Sequence, residues 1–317
     1  MAALVQLVRT PDCGSGGRGF EPHMPPQALI LPEVKPGLPL ENNPSVQALV
    51  PTTLYKEVYG AGDPVLCLHG LGASLYSWRH FIKPFSQQNK LILVDFKGNG
   101  KSPKPFDSHY SIEEKADDIY NLIVEEDLTK LTLIGNSLGG AVSLIVAIRL
   151  LEEKSNRLSR LVLIDSAGDK NSIPPHLKLV RSFLGAPILY LAPSKLAARL
   201  TLRMCYYDSK KTTTEQVAAY ARPLASRAGR HALLQTARQC IPENADELIA
   251  KLNVITVPTL ILWGREDKVI PLRVGELLHR AITNSTLEII EECGHVPQEE
   301  KPDETIARIY RFLSDSA

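Results

Sequence analysis

Cysteine is scarce in this chain: there are five, Cys13, Cys67, Cys205, Cys240 and Cys293, scattered and odd in number. They offer neither a disulfide framework nor a metal-ligand spacing, which points to a reducing compartment and makes a cytoplasmic location the expectation. Long apolar runs are lacking too. No stretch approaches the roughly 20 residues of a membrane-spanning helix. Met1 to Arg9 has too short an apolar segment for a secretory signal, and no small-residue cleavage site follows it. Neither sign of charge is in excess, since 36 Lys and Arg face 35 Asp and Glu for a formal net charge of +1. With 44% apolar residues among 317, the composition is that of a soluble globular chain able to bury a substantial core.

Proline and glycine exclude regular structure from the start of the chain. Pro11, Pro22, Pro25, Pro26, Pro32, Pro36, Pro39 and Pro44 interrupt it, so residues 1–46 read as a flexible leader or as an over-extended start of the reading frame. Gly14, Gly16 and Gly19 match a dinucleotide fingerprint, but no strand precedes them and no helix follows. Gly100-Lys101-Ser102 imitates the end of a phosphate-binding loop. That pattern needs Gly where Asp95 stands, and Pro103 and Pro105 break up the helix it requires, so ATP binding is not expected.

What is present starts with Gly135-Asn136-Ser137-Leu138-Gly139, entered from the apolar run Leu131 to Ile134 and left into Ala141 to Ala147. The stretch reads as strand, sharp turn, helix. Small residues on either side of Ser137 permit an elbow that lifts its hydroxyl at the head of a helix, with the Leu138 N–H aimed at the same place. Taken alone, the motif equally describes a serine capping a helix. A serine hydroxyl becomes a nucleophile only beside a histidine that takes its proton and a carboxylate that orients the histidine. Both candidates follow downstream, each beyond a strand-like run. Pro258 to Gly264 leads to Asp267, and Thr286 to Ile290 leads to Gly294-His295. Asp165, after Leu161 to Ile164, is the rival carboxylate. Asp267 is preferred because the strand just before the histidine strand is the usual donor in this arrangement.

A tetrahedral intermediate also needs an oxyanion hole. The buried-looking run Pro64 to Leu68 ends in His69-Gly70-Leu71-Gly72, a loop whose glycines let the Leu71 N–H face the nucleophile as partner to that of Leu138. His69, Gly70 and Gly72 are read as the supporting loop, with His69 fixing it rather than moving protons.

From about residue 50 to the C-terminus the chain resembles the α/β-hydrolase superfamily with an inserted helical cap. The resemblance is carried by His69-Gly70-Leu71-Gly72, Asp95 to Ser102, Gly135 to Gly140, Trp263 to Asp267 and Gly294-His295. It implies a mostly parallel central sheet flanked by helices, with core segments at 47–168 and 243–317 and a cap at 169–242. Haloalkane dehalogenases and epoxide hydrolases share the pattern but carry Asp at the elbow, so Ser137 argues against both. Carbon–carbon bond hydrolases of aromatic degradation are more similar, sharing the Gly-Asn-Ser-x-Gly-Gly elbow and a stretch here formed by Cys293, Gly294, His295, Gln298 and Glu300. That subgroup has tryptophans around the glutamine, where Val296 and Glu299 stand here.

The interval between the Asp165 and Asp267 strands exceeds a simple crossover of about a dozen residues, and from Pro174 to Cys240 it reads as helical and amphipathic. Such a cap would exclude water from the elbow and supply the substrate pocket. It is also basic, with eleven Lys and Arg against Asp208 and Glu215. That excess suits an anionic substrate or weak peripheral contact with an anionic membrane, and it equally describes a solvated helix face. Nucleic-acid binding is not expected, because Tyr190, Tyr206, Tyr207 and Tyr220 are spread apart and no binding module is visible. The sequence thus predicts a serine hydrolase that cleaves an ester or related acyl bond of an apolar or amphiphilic small molecule, with no metal or organic cofactor. The alternatives are hydrolysis of a carbon–carbon bond in a vinylogous diketone and a non-catalytic ligand receptor on the same scaffold.

Overall fold

The computed structural model describes residues 53–315. The leader reading for 1–46 and the glycine fingerprint within it fall outside the described residues. Seven strands, β1 (Lys56–Tyr59), β2 (Asp63–Leu68), β3 (Asn89–Val94), β4 (Leu131–Asn136), β5 (Leu158–Ile164), β6 (Thr259–Gly264) and β7 (Ser285–Ile290), form one sheet in the order β1-β3-β2-β4-β5-β6-β7. β1 is antiparallel to β3, and every other pair is parallel.

The inner strands are buried on both faces, which is why they read as continuous apolar runs rather than as alternating patterns. Their side chains divide by period two. Leu66, Leu68, Leu133, Leu161, Leu163 and Trp263 join the helices Ile112–Glu125, Leu138–Glu152 and Arg273–Ala281 on one face. Val65, Cys67, Ile134, Val162, Ile164 and Leu262 join Trp78, Phe81, Phe85 and the helix Pro302–Asp315 on the other. Because the strands run parallel, their carboxyl ends gather at one edge of the sheet, where the loops that carry chemistry collect.

One of those loops explains the false phosphate-loop signal. The buried Asp95 carboxylate accepts the N–H groups of Leu75 at 2.8 Å and Lys101 at 2.7 Å. A Cβ on Gly100 would fall 1.9 Å from Asp95 Oδ2. The glycine makes room for a carboxylate of the chain itself.

Between β5 and β6 lie the helices Pro175–Arg181, Gly185–Leu191, Ser194–Cys205, Thr214–Leu224 and Arg227–Gln239. Thr213 and Gln216 form a reciprocal cap at the fourth of these, satisfying backbone donors that a helix leaves open. The apolar positions of this region do not all turn inward. Leu189 is buried, but Phe183 is 85% and Leu191 83% exposed.

Candidate active site

β4 ends at Asn136 and the helix Leu138–Glu152 starts two residues on, so Ser137 alone turns the chain. It does so at φ +57° and ψ −117°, a conformation that costs a non-glycine residue about 1–3 kcal/mol and persists only where the surroundings impose it. Its N–H donates to the Ile164 carbonyl at 3.0 Å, and its own carbonyl accepts from Gly140 and Ala167 N–H, each at 3.0 Å. The flanking glycines provide space. A Cβ on Gly139 would lie 2.2 Å from the Leu68 carbonyl oxygen, and one on Gly135 would lie 2.3 Å from that of Gly139.

The elbow is thereby pressed against the end of β2, and the loop His69-Gly70-Leu71-Gly72 runs beside it. A Cβ on Gly70 would come within 3.2 Å of Ser137 Cβ, and Gly72 takes φ +71°. Leu71 and Leu138 line the same cavity as Ser137. The Leu138 N–H belongs to the first turn of its helix, which supplies it no acceptor. His69 is fully buried, with Nδ1 2.8 Å from the Gly70 carbonyl and Nε2 3.2 Å from the Phe96 N–H. Burial holds its pKa below the usual histidine value, so the ring is neutral. Nδ1–H then donates, Nε2 accepts, and the ring ties two loops together.

Asp267 and His295 meet at the ends of β6 and β7. His295 Nδ1 lies 2.7 Å from Asp267 Oδ2, and because a carboxylate only accepts, the proton is on Nδ1 and Nε2 is left free as a base. The other oxygen of Asp267 accepts the N–H groups of Val269 at 2.7 Å and Ile270 at 3.0 Å. His295 is held by its main chain as well, its N–H donating to the Cys205 carbonyl at 2.6 Å and its carbonyl accepting from Asn136 Nδ2 at 3.1 Å. It is nearly buried, and it lines the cavity that Ser137 enters.

The rival Asp165 is not remote. Fully buried, it places a carboxylate oxygen within 4.8 Å of ligand atoms of both Asp267 and His295. Its Oδ1 accepts the Gly264 N–H at 3.0 Å, while Oδ2 finds no N–H or O–H donor. Burial, reinforced by the Asp267 charge, raises the Asp165 pKa well above the carboxylate range. Asp267 has three donors and Asp165 has one, so the negative charge is better stabilised on Asp267 than on Asp165. Among the described residues these three side chains are the group close enough to share a cation. The hydrogen bonds already occupy both oxygens of Asp267 and Nδ1 of His295.

Glu300, named above for the shared stretch, and Glu299, named as a departure from it, fix the histidine loop, a role the sequence pattern does not assign them. The Glu300 carboxylate accepts the N–H groups of Gly294 at 2.8 Å, Tyr207 at 3.0 Å and Asp208 at 2.8 Å. Glu299 is buried against Arg79, Tyr220 and Gln216. Burial raises its pKa, and these partners oppose the rise. Its partners lie 220, 79 and 83 positions away in the sequence, so no local pattern shows what it contacts.

The cavity measures about 510 Å³, within the range of small-molecule sites. Its wall is mostly aliphatic, from Leu144, Ile145 and Ile148 on the core side to Leu177, Leu196 and Leu200 on the helices between β5 and β6. Among the described residues Lys170 is the one Lys or Arg lining it, and it pairs with Asp246.

A mostly parallel sheet with a strained serine at the end of one strand and an Asp–His pair at the ends of two others defines a class of hydrolase folds. The family model of the alpha/beta hydrolase fold matches residues 63–302, and the chain belongs to that family. It is 28% identical over 262 residues, 80% of this chain and 90% of the relative, to 2-hydroxy-6-oxo-2,4-heptadienoate hydrolase of Pseudomonas putida strain F1. Among solved structures it is similar to a meta-cleavage product hydrolase from Pseudomonas fluorescens IP01, with TM-score 0.70, 25% identity and coverage of 83% and 95% of the two chains. It is also similar to a thermophilic esterase from Thermogutta terrifontis, with TM-score 0.69, 25% identity and coverage of 84% and 97%. The chain is thus a hydrolase of the α/β fold. Among the described residues no helix is long and apolar enough to cross a membrane.

Proposed function

We propose that this hydrolase cleaves a carboxylic ester or related acyl bond of a moderately apolar substrate through an acyl-enzyme. Ser137 attacks the carbonyl carbon, and His295 Nε2 takes the hydroxyl proton and returns it to the leaving alcohol. Asp267 keeps the imidazole in the required tautomer and stabilises its charged form, while the N–H groups of Leu71 and Leu138 receive the oxyanion. A water deprotonated by His295 then releases the acid. The observation that carries this reading is the 2.7 Å contact between His295 Nδ1 and Asp267 Oδ2, with His295 and Ser137 lining one cavity.

Carbon–carbon hydrolysis is the second reading, favoured by the names of the relatives. A dienoate substrate carries a carboxylate that calls for a cation at one end of its site, and among the described residues Lys170, already paired, is the only Lys or Arg in this wall. An aliphatic acyl group suits the wall better. A fluorophosphonate probe should label Ser137 and no other serine, and Ser137→Ala should lose both labelling and turnover. Turnover of a panel of aryl esters and ring-cleavage dienones decides between the readings. Dienone cleavage without esterase activity, or ester hydrolysis unchanged in Ser137→Ala, would discard the first.

A further inference from the structure

The helices between β5 and β6 turn apolar side chains toward solvent. Ile188 and Leu191 stand three residues apart on one stripe of the helix Gly185–Leu191, and Leu184 caps its start. Leu196 and Leu200, each 52% exposed, share a stripe of the next. Ile188, Leu196 and Leu200 also line the cavity that holds Ser137, so this outward apolar surface continues into the cavity wall and forms its rim. Exposed patches of large aliphatic and aromatic groups on soluble proteins mark interaction sites.

The charge on the same stretch has one sign. From residue 170 to residue 207 the sequence contains no Asp or Glu, but it contains Lys170, Lys178, Arg181, Lys195, Arg199 and Arg203. Lys195, Arg199 and Arg203 repeat every four residues beside the Leu196–Leu200 stripe, and none of the three makes an ion pair among the described residues. Arg199 and Arg203 stand with Ser209, Thr212, Thr213 and Thr214 around a depression of about 250 Å³. Guanidinium groups and hydroxyls in such a setting suit a phosphate. Unpaired cations beside outward Phe and Leu are the signature of a helix lying in a lipid interface. A protein partner would also cover the apolar groups, but the acid-free run of cations complements an anionic bilayer.

We infer that these helices dock on the surface of a bilayer containing anionic phospholipid. Phe183 and Leu191 enter the headgroup boundary, Arg199 and Arg203 hold lipid phosphate, and an amphiphilic substrate passes into the cavity between Ile188, Leu196 and Leu200. The passage of substrate rests on the hydrolase reading above; the docking does not.

The test is co-sedimentation of the full chain with phosphatidylcholine vesicles, with and without phosphatidylglycerol, at low and high salt. Partition should be at least about tenfold stronger with the anionic lipid and should weaken with salt, since interfacial Lys and Arg are attracted by an anionic surface over a screened range. The double variant Phe183→Asp, Leu191→Asp should lose about tenfold in partition or more, with turnover of a soluble short-chain ester unchanged. Arg199→Glu with Arg203→Glu should lose partition to anionic vesicles by a similar factor, read at an unaltered unfolding midpoint. Equal partition of wild type and both variants, or no partition of wild type into anionic vesicles, overturns the docking. A dimer that Phe183→Asp dissolves, in a chain that ignores vesicles, would assign the face to a second copy instead. Vesicle binding without ester turnover would leave the docking standing and remove the ester-hydrolysis reading.

Discussion

Asp165 and Asp267 are the residues whose roles the geometry separates most sharply. Asp267 faces His295 and two backbone donors, whereas Asp165 faces Asp267 with an oxygen that has no donor of its own. Asp267→Asn should lower kcat on the order of 10⁴-fold, as loss of the orienting acid does in a Ser-His-Asp site. Asp165→Asn keeps an N–H donor available to Asp267 and should stay within about tenfold of wild type, about 1.4 kcal/mol on the barrier. Steady-state kinetics on a soluble ester measure both, and the reverse ranking would move the acid to Asp165. The raised pKa of Asp165 also has a consequence for stability. Above the ordinary carboxylate value, about 3.9, the unfolded chain has released this proton while the folded chain keeps it, so the group destabilises the fold progressively as pH rises toward its folded pKa. Urea unfolding should therefore show Asp165→Asn gaining on wild type by about 1.4 kcal/mol per pH unit across the mildly acidic range. A difference that does not change with pH would place the proton elsewhere.

At the scale of elements, the loop carrying His295 is held by contacts that reach across the molecule. Glu300 fastens it to Tyr207 and Asp208 at the end of the helix Ser194–Cys205, and the His295 N–H bonds the Cys205 carbonyl. Next to it, Glu299 is buried against Arg79, whose side chain is 22% exposed. Removing one member of a buried ion pair costs about 3–5 kcal/mol, because the other is left charged and dry, whereas replacing both with apolar groups is often neutral. The partial exposure of Arg79 moderates this, so Arg79→Met should cost about 2–3 kcal/mol. Arg79→Met combined with Glu299→Met should recover most of that loss. Additive losses in the double variant, measured by denaturant midpoints, would show that the two side chains do not act as a pair.

For the molecule as a whole, one sheet edge and one set of helices enclose a cavity of about 510 Å³ with an aliphatic wall. Each buried methylene is worth about 0.8 kcal/mol. Lengthening an aryl ester from acetate to hexanoate adds four methylenes and a ceiling of about 3 kcal/mol, so kcat/KM should rise at least about tenfold along that series. Ile145→Trp, which fills the wall on the core side, should flatten the rise while leaving the acetate ester comparatively well hydrolysed. A flat series in the wild-type chain would mean that the acyl group does not enter this cavity.

The sequence by itself determined the elbow and five of the seven strands, β2 and β4 to β7. β4 and β6 are buried along their whole length, so their apolar runs were visible, and the glycines around Ser137 mark a close approach that larger residues would block. It likewise placed Asp267 and His295 on loops at strand ends, since the strand order of a parallel sheet brings such loops to one edge. Only the tertiary structure decided that Asp165 comes within 4.8 Å of Asp267 and His295, and that Glu299 meets Arg79 across 220 positions of sequence. Period and composition report how a side chain sits on its own element; they carry no information about which distant element comes to face it. For the same reason the leucines between β5 and β6 announced amphipathic helices, but which of them turn toward the cavity and which toward solvent depended on how those helices pack against the core and against one another.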